Sequence, residues 1–459
     1  MIHSPRSSDD RLAIGIDLGT SGVRAVAIDT ALDVVATASA ALPPSRRDGA
    51  AATQSPDDWW NATWAVLAGL CAGLGRRGGR VAAIAVDGTS GSLLLTDARL
   101  RPLTPGLMYD DTSCADEAAR VAAIVPEDSA ARGPASPLAR LLRWQATPGA
   151  AHVLHQADWI TARLRAEGAT DLPASLASSD ENNALKLGYD PVARDWPGWF
   201  DALGVRRALL PAVRPPGSAI GAIAPELAMH MGLSPEVLIA AGTTDGVAAF
   251  LATGACEPGD AVSSLGSTLV LKLLTDRPVN APAFGVYSHR LGDMWLVGGA
   301  SNSGGAALLR HFSVGRMRAL EAQLRPGHPT GLDYYPLAGT GERFPFADPD
   351  LVSRDGPRPI SDATHFQALL EGIAAIEGLG YRRLGELGAI TPTRVFSVGG
   401  GAANAAWQDI RAQHLGVPVI RSRHADAAVG AARLALAALP PHEPDGKGAG
   451  KAPTVPPHQ

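Results

Sequence analysis

Three aspartates in this chain each stand where an apolar run gives way to glycine and hydroxyl-bearing residues. They are Asp17 in Asp17-Leu18-Gly19-Thr20-Ser21-Gly22, Asp87 in Asp87-Gly88-Thr89-Ser90-Gly91, and Asp245 directly after Thr243-Thr244. Glycine in such a turn lets the chain adopt positive φ and bring backbone N–H groups close to an anion. The first turn suits the terminal phosphate of ATP, with Thr20 and Ser21 as hydroxyl donors. Asp17 suits Mg²⁺, a hard cation that prefers oxygen ligands. An ordinary capped glycine hairpin accounts for this one motif equally well.

Far along the chain, Gly266-Ser267-Thr268 offers the same equipment, and two such hairpins facing one phosphate chain are more specific than one. Phosphoryl transfer asks little covalent chemistry of a protein; it needs positioning and charge stabilisation around an in-line phosphate. Asp245 follows the run VLIAAG near the start of a helix, and it is the candidate catalytic base. An attacking hydroxyl must lose its proton, and a helix N-terminus favours the ionised carboxylate that takes it. The competing role for Asp245 is a plain helix cap. Ser90 and its neighbours offer short polar groups to sugar hydroxyls, with a structural turn as the alternative. Gly399-Gly400-Gly401, with Asn404 and Trp407 in the following segment, could seat a nucleotide: glycines against phosphate and ribose, Asn404 on the base, Trp407 stacked on it. Trp407 is otherwise a core residue. Gly304, in the glycine-rich turn of GGASNSGG, joins the nucleotide candidates.

The elements that must hold these residues follow from periodicity. LAIGIDLGTSGVRAVAID, residues 12–29, reads as strand, glycine turn, strand, and VVATASAAL as a third strand of a meander. Ser55 and Pro56 open a helical pattern that runs to Leu74; RVAAIAVDG is a buried strand ending at Asp87, and SLLLTD another. A strand over 237–241 leads to the helix near Asp245. AVSSLGSTLVLKLLTD, residues 261–276, then repeats the opening hairpin, Leu265-Gly266-Ser267 standing for Leu18-Gly19-Thr20. Such a repeat implies two lobes of related topology whose turns face a shared cleft. A long helical pattern covers 366–387, RVFSVGGG is a strand and triple-glycine turn, and a final helix is expected over 426–439.

At 459 residues the chain exceeds the size of one growing core, in keeping with two domains. A formal net charge of −5 spread through 40 basic and 45 acidic residues gives no basic stripe for nucleic acid. Cys71, Cys114 and Cys256 are too few and scattered for a disulfide framework or zinc site, which fits a reducing cytoplasm. No secretory pattern marks the first residues, and no apolar run approaches the roughly 18 residues of a membrane span. PPHEPDGKGAGKAPTVPPHQ has little to bury and is expected to be disordered over 441–459. Its GKGAGK misses the phosphate-loop spacing. Gly399-x-Gly401-x-x-Asn404, with Asp426 about twenty residues on, is nearer a dinucleotide fingerprint, but the third glycine is absent.

IGIDLGTSGVRAVAID, AGTTDG, SSLGST, GGASNSGG and SVGGGAANAAWQ together resemble, in type and order, the motifs of FGGY carbohydrate kinases, over residues from about 12 to 435. VDGTSG, QADWI, NNALKLGYDP, FGVYSH and LDYYPLAGTGERFPFADPD further resemble a compact, xylulose kinase-like branch of that family that phosphorylates D-ribulose, with xylulose or another small polyol as the alternative substrate. The resemblance implies an α/β, two-lobed, actin-like (ribonuclease H-like) fold of duplicated mixed-sheet domains. It implies a sugar lobe over 12–252 completed by a helix over 426–440, and a nucleotide lobe over 253–425. It also implies ATP, Mg²⁺, lobe closure on a small sugar, and a monomer or homodimer without nucleic-acid or membrane partners. By residue it places Asp17, Thr20, Ser90 and Asp245 around sugar and transferred phosphate, and Gly400, Gly401, Asn404 and Trp407 around the nucleotide. The Trp-x-Asp-x-Arg sugar motif of larger members is missing; Tyr109-Asp110-Asp111 stands near its place. Two rival readings remain from sequence: a non-catalytic nucleotide sensor, and an NAD-using enzyme built on the Gly399 turn.

Overall fold

The computed structural model describes residues 10–169 and 172–440; the expectations for the N-terminal residues and for the 441–459 tail lie outside that range. The opening alternation produces the meander it implies, β1 (Leu12–Leu18), β2 (Gly22–Asp29) and β3 (Val34–Ala41). Helix α1 (Pro56–Leu74) starts at the expected proline, although Ser55 makes no side-chain cap and the first turn instead carries Asp57 and Asp58. Strand β4 (Val81–Gly88) follows, and then α2 (Gln156–Ala166), α3 (Glu181–Leu187), β5 (Ala219–Ala222), β6 (Leu238–Ala240), β7 (Thr243–Thr244) and α4 (Asp245–Ala252). These strands form one mixed sheet in the order β5-β6-β4-β1-β2-β3, with β7 also on β4.

The second sheet repeats the first. Its strands are β8 (Asp260–Leu265), β9 (Leu269–Thr275), β10 (Ser288–Leu291), β11 (Met294–Ser301), β12 (Arg394–Val398) and β13 (Val419–Arg421), in the order β10-β11-β9-β8-β12-β13. In both sheets an antiparallel meander (β1-β2-β3; β8-β9-β11) is extended from its first strand by parallel partners (β4 then β6; β12 then β13). The repeat inferred from the two hairpins is therefore a repeat of topology. The helices of this half are α5 (Gly305–Leu309), α6 (Val314–Glu321), α7 (Asp362–Glu386), α8 (Ala405–Leu415) and α9 (Ala427–Ala437).

Helix α9 comes back to the first sheet because its residues are small. Ala428, Val429, Ala432 and Ala435 pack with Ala13, Val26, Ala83 and Ala240 in one buried cluster. The approach is backbone on backbone: a Cβ on Gly15 would lie 1.9 Å from the carbonyl oxygen of Ala428, and one on Gly430 would lie 1.8 Å from that of Ala248 in α4. On its other side α4 buries Val247 and Phe250 against Val262 and Leu274 of the second sheet. Helices α9 and α4 thus bridge the two sheets, and Asp245 begins one of them.

Candidate active site

Parallel pairing sets the first group of carboxylates. Asp17 is the register partner of Asp87 on β4, and Thr243 of β7 is Asp87's partner on the other side, so the three stand in a row at the strand ends. Asp17 is only 7% exposed. Burial pushes its carboxyl up to about 6, a hydrogen bond with Asp87 opposing and the charges of Asp426 and Asp245 adding to the rise. Asp87 is fully buried, and neither carboxylate oxygen has a fixed donor. Burial, then the charge of Asp17, holds its pKa well above the ordinary range. A proton on Asp87 donated to Asp17 is the arrangement that serves both.

Oxygen donors with unspent acceptor capacity, packed at the cost of their own ionisation, are what a divalent cation relieves, so these residues fit Mg²⁺. Among the described residues no group of three or more His, Cys, Asp or Glu side chains is arranged to hold a metal. Mg²⁺ is ordinarily bound by one or two carboxylates, with phosphate and water completing its shell.

Asp245 is the first residue of α4, not its cap: Thr244 holds the N-cap position, and the Asp245 carboxylate accepts from the N–H of Gly246 at 2.6 Å. Burial raises its pKa, while that N–H, Lys186 and Lys272 counteract the rise. Lys272 projects from β9 of the second sheet; a Cβ on Gly246 would lie 3.7 Å from its Nζ. Burial pushes the Lys272 ammonium down to about 8, Asp245 opposing and Lys186 reinforcing the shift. Lys186, on α3, also stands 5.8 Å from the ring centroid of Tyr287. The charge cluster at Asp245 is therefore assembled from both sheets.

The turn carrying Ser90 is held from below. Gln156 accepts from the N–H and hydroxyl of Thr89 at 3.1 and 2.7 Å. Fully buried Arg140 donates to the carbonyl of Gly91 at 2.9 Å. Ser90 itself stays half-exposed. On the first hairpin, Gly19 N–H closes the turn to Gly22 at 3.0 Å, and Gln54 Nε2 pins the carbonyl of Thr20 at 2.8 Å, leaving Ser21 exposed.

The second hairpin opens on a cavity of about 480 Å³ lined by Gly266, Ser267, Gly400, Gly401, Asn404 and Trp407, with apolar residues of α5 and α6 opposite. Most of the expected nucleotide residues are thus brought together. Thr268 and Gly304 lie behind the lining, packed on each other: a Cβ on Gly304 would lie 2.8 Å from the carbonyl carbon of Thr268. Thr20 and Ser21 belong to the other sheet and do not line this cavity. Asn404 caps α8 through Trp407 N–H at 2.9 Å, which leaves its Nδ2 as the group free to donate. Trp407 is 4% exposed, and its indole N–H donates to the Leu370 carbonyl at 3.1 Å. It forms the floor under Gly401, where a Cβ would come within 2.4 Å of the ring. Asp426 caps α9 through Ala428 N–H rather than standing free for a ribose, and the strands around Gly399 belong to a mixed sheet. The dinucleotide alternative therefore has neither its acidic residue nor its sheet.

Sequence reasoning missed Lys272 and Lys186. A lone lysine inside the apolar run LVLKLLT was the available signal for the first.

A duplicated mixed α/β sheet with an interdomain carboxylate defines a two-domain, actin-like ATPase fold. Residues 12–252 match the N-terminal domain of the FGGY family of carbohydrate kinases, and residues 261–439 match its C-terminal domain. The chain belongs to this family and is an ATP-dependent carbohydrate kinase acting on a small-molecule sugar. It is 28% identical over 456 residues to the xylulose kinase of Escherichia coli, covering 94% of this chain and 90% of the relative. It is 26% identical over 471 residues to the erythritol kinase of Brucella abortus, covering 93% and 87%. The crystal structure of a xyloylose kinase from Brucella ovis superposes with a TM-score of 0.81 at 26% identity, over 93% of this chain and 90% of that one. No helix among the described residues is long and apolar enough to cross a membrane.

Proposed function

We propose that this kinase transfers the γ-phosphoryl group of ATP to the terminal hydroxyl of a five-carbon ketose, D-ribulose first, giving D-ribulose 5-phosphate and ADP. The substrate hydroxyl oxygen bonds to the γ-phosphorus, the bond from that phosphorus to the β–γ bridging oxygen breaks, and the hydroxyl proton passes to Asp245. The observation that carries this is the placing of Asp245: at a helix start, between two sheets, with Lys186 and Lys272 keeping its ionised form within reach. A base must be ionised to act, and the Gly246 N–H with those two cations opposes part of what burial costs it.

The remaining roles follow from position. Gly266, Ser267 and Thr268 grip the phosphates from the nucleotide lobe, with Gly304 backing them; Thr20 and Ser21 meet the γ-phosphate when the lobes close. Gly400, Gly401, Asn404 and Trp407 seat the base and ribose. Asp17, with Asp87 beside it, holds Mg²⁺, which supplies charge neutralisation for the transferring phosphoryl group. Ser90 and Asp17 contact the sugar. The sugar lobe spans 12–252 with the returning helix over 426–440, and the nucleotide lobe spans 253–425.

A small acceptor is supported by the loop that replaces the larger sugar motif. Asp111 is buried and accepts from Ala52 N–H at 2.8 Å and Ser113 N–H at 2.9 Å, and Asp110 is paired with Arg47. Both carboxylates are spent on the fold, so few groups remain there to read additional hydroxyls. D-xylulose is the second reading, favoured by the relative from Escherichia coli that carries that name. A coupled ADP-release assay across D-ribulose, D-xylulose, L-ribulose, pentitols, erythritol and gluconate tests the assignment. The highest kcat/KM on D-ribulose is expected; a preference for D-xylulose selects the second reading, and a preference for a polyol or an aldonate rejects both.

A further inference from the structure

The stretch LDYYPLAGTGERFPFADPD contributes no residue to the roles above, yet its glutamate makes the most heavily used buried carboxylate near the second phosphate hairpin. Glu342 is 4% exposed. Its Oε1 accepts from the backbone N–H groups of Asn302 and Arg343 at 2.7 and 2.9 Å. Its Oε2 accepts from the hydroxyls of Ser301 and Tyr335 at 2.6 and 3.0 Å. Four donors, two of them backbone groups of different segments, converge on one side chain.

What they hold is the loop after β11. Ser301 Oγ passes the contact on by accepting from Ser303 N–H at 3.0 Å, and Asn302 Nδ2 returns to the Gly341 carbonyl at 2.9 Å. This loop lies directly against the second hairpin. Leu269 N–H donates to the Ser303 carbonyl at 2.8 Å, Gly305 N–H to that of Gly266 at 2.9 Å, and Ala306 N–H to that of Ser267 at 3.0 Å. Gly304 permits the approach, its φ of +135° and the 2.8 Å clearance to Thr268 excluding a side chain. The carbonyls of Gly266 and Ser267 are thus tied to α5, and that tie is registered by Glu342.

We infer that Glu342 is a positioning residue for nucleotide phosphate: it fixes the 301–305 loop, and through it the outward direction of the Gly266–Thr268 N–H and hydroxyl groups. The inference rests on the assignment of that hairpin to phosphate. Removing the carboxylate leaves two part-buried N–H groups and two buried hydroxyls without an acceptor, and the loop relaxes to find others. Glutamine should serve in its place. Its oxygen can take both N–H groups, while its amide N–H₂ faces two hydroxyls that can rotate to accept.

The test compares Glu342→Ala, Glu342→Gln and Ser301→Ala with Thr268→Ala, measuring KM for ATP and for sugar, kcat, ADP affinity by calorimetry, and Tm. Glu342→Ala should raise KM for ATP and weaken ADP by about tenfold, as expected for loss of hydrogen bonds to a charged group. KM for sugar should stay within about twofold, and Glu342→Gln should stay within about twofold of wild type in every parameter. Ser301→Ala should give an intermediate loss confined to the nucleotide, and it decides the matter if Glu342→Ala does not fold. An unchanged ATP KM in Glu342→Ala or Ser301→Ala overturns the inference, and so does a parallel loss for sugar and nucleotide. If Thr268→Ala weakens ATP while Glu342→Ala does not, only the positioning role fails. If none of these variants weakens ATP, the phosphate assignment of the hairpin fails with it.

Discussion

Lys272 of the second sheet and Asp245 of the bridging helix α4 each shift the other's protonation toward the charged form, against the burial that both experience. A cation on the second sheet thereby supports, together with the Gly246 N–H and Lys186, the ionised form of a carboxylate that burial disfavours.

This coupling gives a pH signature. With the Lys272 ammonium at about 8, kcat should fall as pH rises through that value if its charge supports the reaction. Lys272→Arg keeps a cation at all accessible pH and should push that basic limb upward. Lys272→Met removes the charge that lowers the Asp245 pKa, so the acid limb should move to higher pH and kcat should drop at least about tenfold. Rate profiles from pH 5 to 10 check both, and limbs that do not move would detach Lys272 from the reaction.

Asp17 links the site to stability. Its folded pKa of about 6 lies above the ordinary 3.8, so the native state holds its proton more tightly than the unfolded chain. The associated stability is fully present below about pH 4 and is lost as pH rises through about 6, up to on the order of 3 kcal/mol. Asp17→Asn should therefore raise Tm at pH 8 and change it little at pH 4. Added Mg²⁺ should raise the Tm of the wild type at pH 8 and leave that of the variant unmoved. Thermal melts in the two buffers check this; a variant destabilised at pH 8 would show that the ionised carboxylate is well accommodated.

Gly15 tests the bridge between the sheets. Gly15→Ala drives a methyl into the Ala428 backbone, where nothing flexible can give way, and should cost about 3 kcal/mol or more. Gly73→Ala, in α1 with open space around its Cβ position, should be stabilising by about 0.5–1 kcal/mol. Urea unfolding of both variants reads the difference, and similar costs would mean that the α9 contact is looser than it stands here.

The sequence disclosed the local devices and hid the distant ones. The hairpins at Gly19 and Gly266 were legible because strand alternation and turn glycines are local, and α1 runs from the expected Pro56 to Leu74. Helix α7 begins at Asp362, earlier than periodicity suggested, because its polar first turn is capped by Ser361 and carries little apolar signal. The register that sets Asp17 against Asp87 joins strands with α1 between them, and no spacing rule reports it. Lys272 passed unnoticed within its strand, because its partner Asp245 comes from another element. Trp407 could equally have been base platform or core from its position on a helix; only its indole bond to Leu370 shows how deeply it is set.

The central claim is that Asp245 removes the proton from the attacking hydroxyl while the nucleotide is held elsewhere, and Asp245→Asn measures it most directly. Steady-state turnover of the variant with its best sugar should fall by about 10²–10⁴, with ATP and ADP affinities by calorimetry within about twofold of wild type. A variant that turns over at the wild-type rate, or one that loses nucleotide affinity in step with kcat, would contradict it.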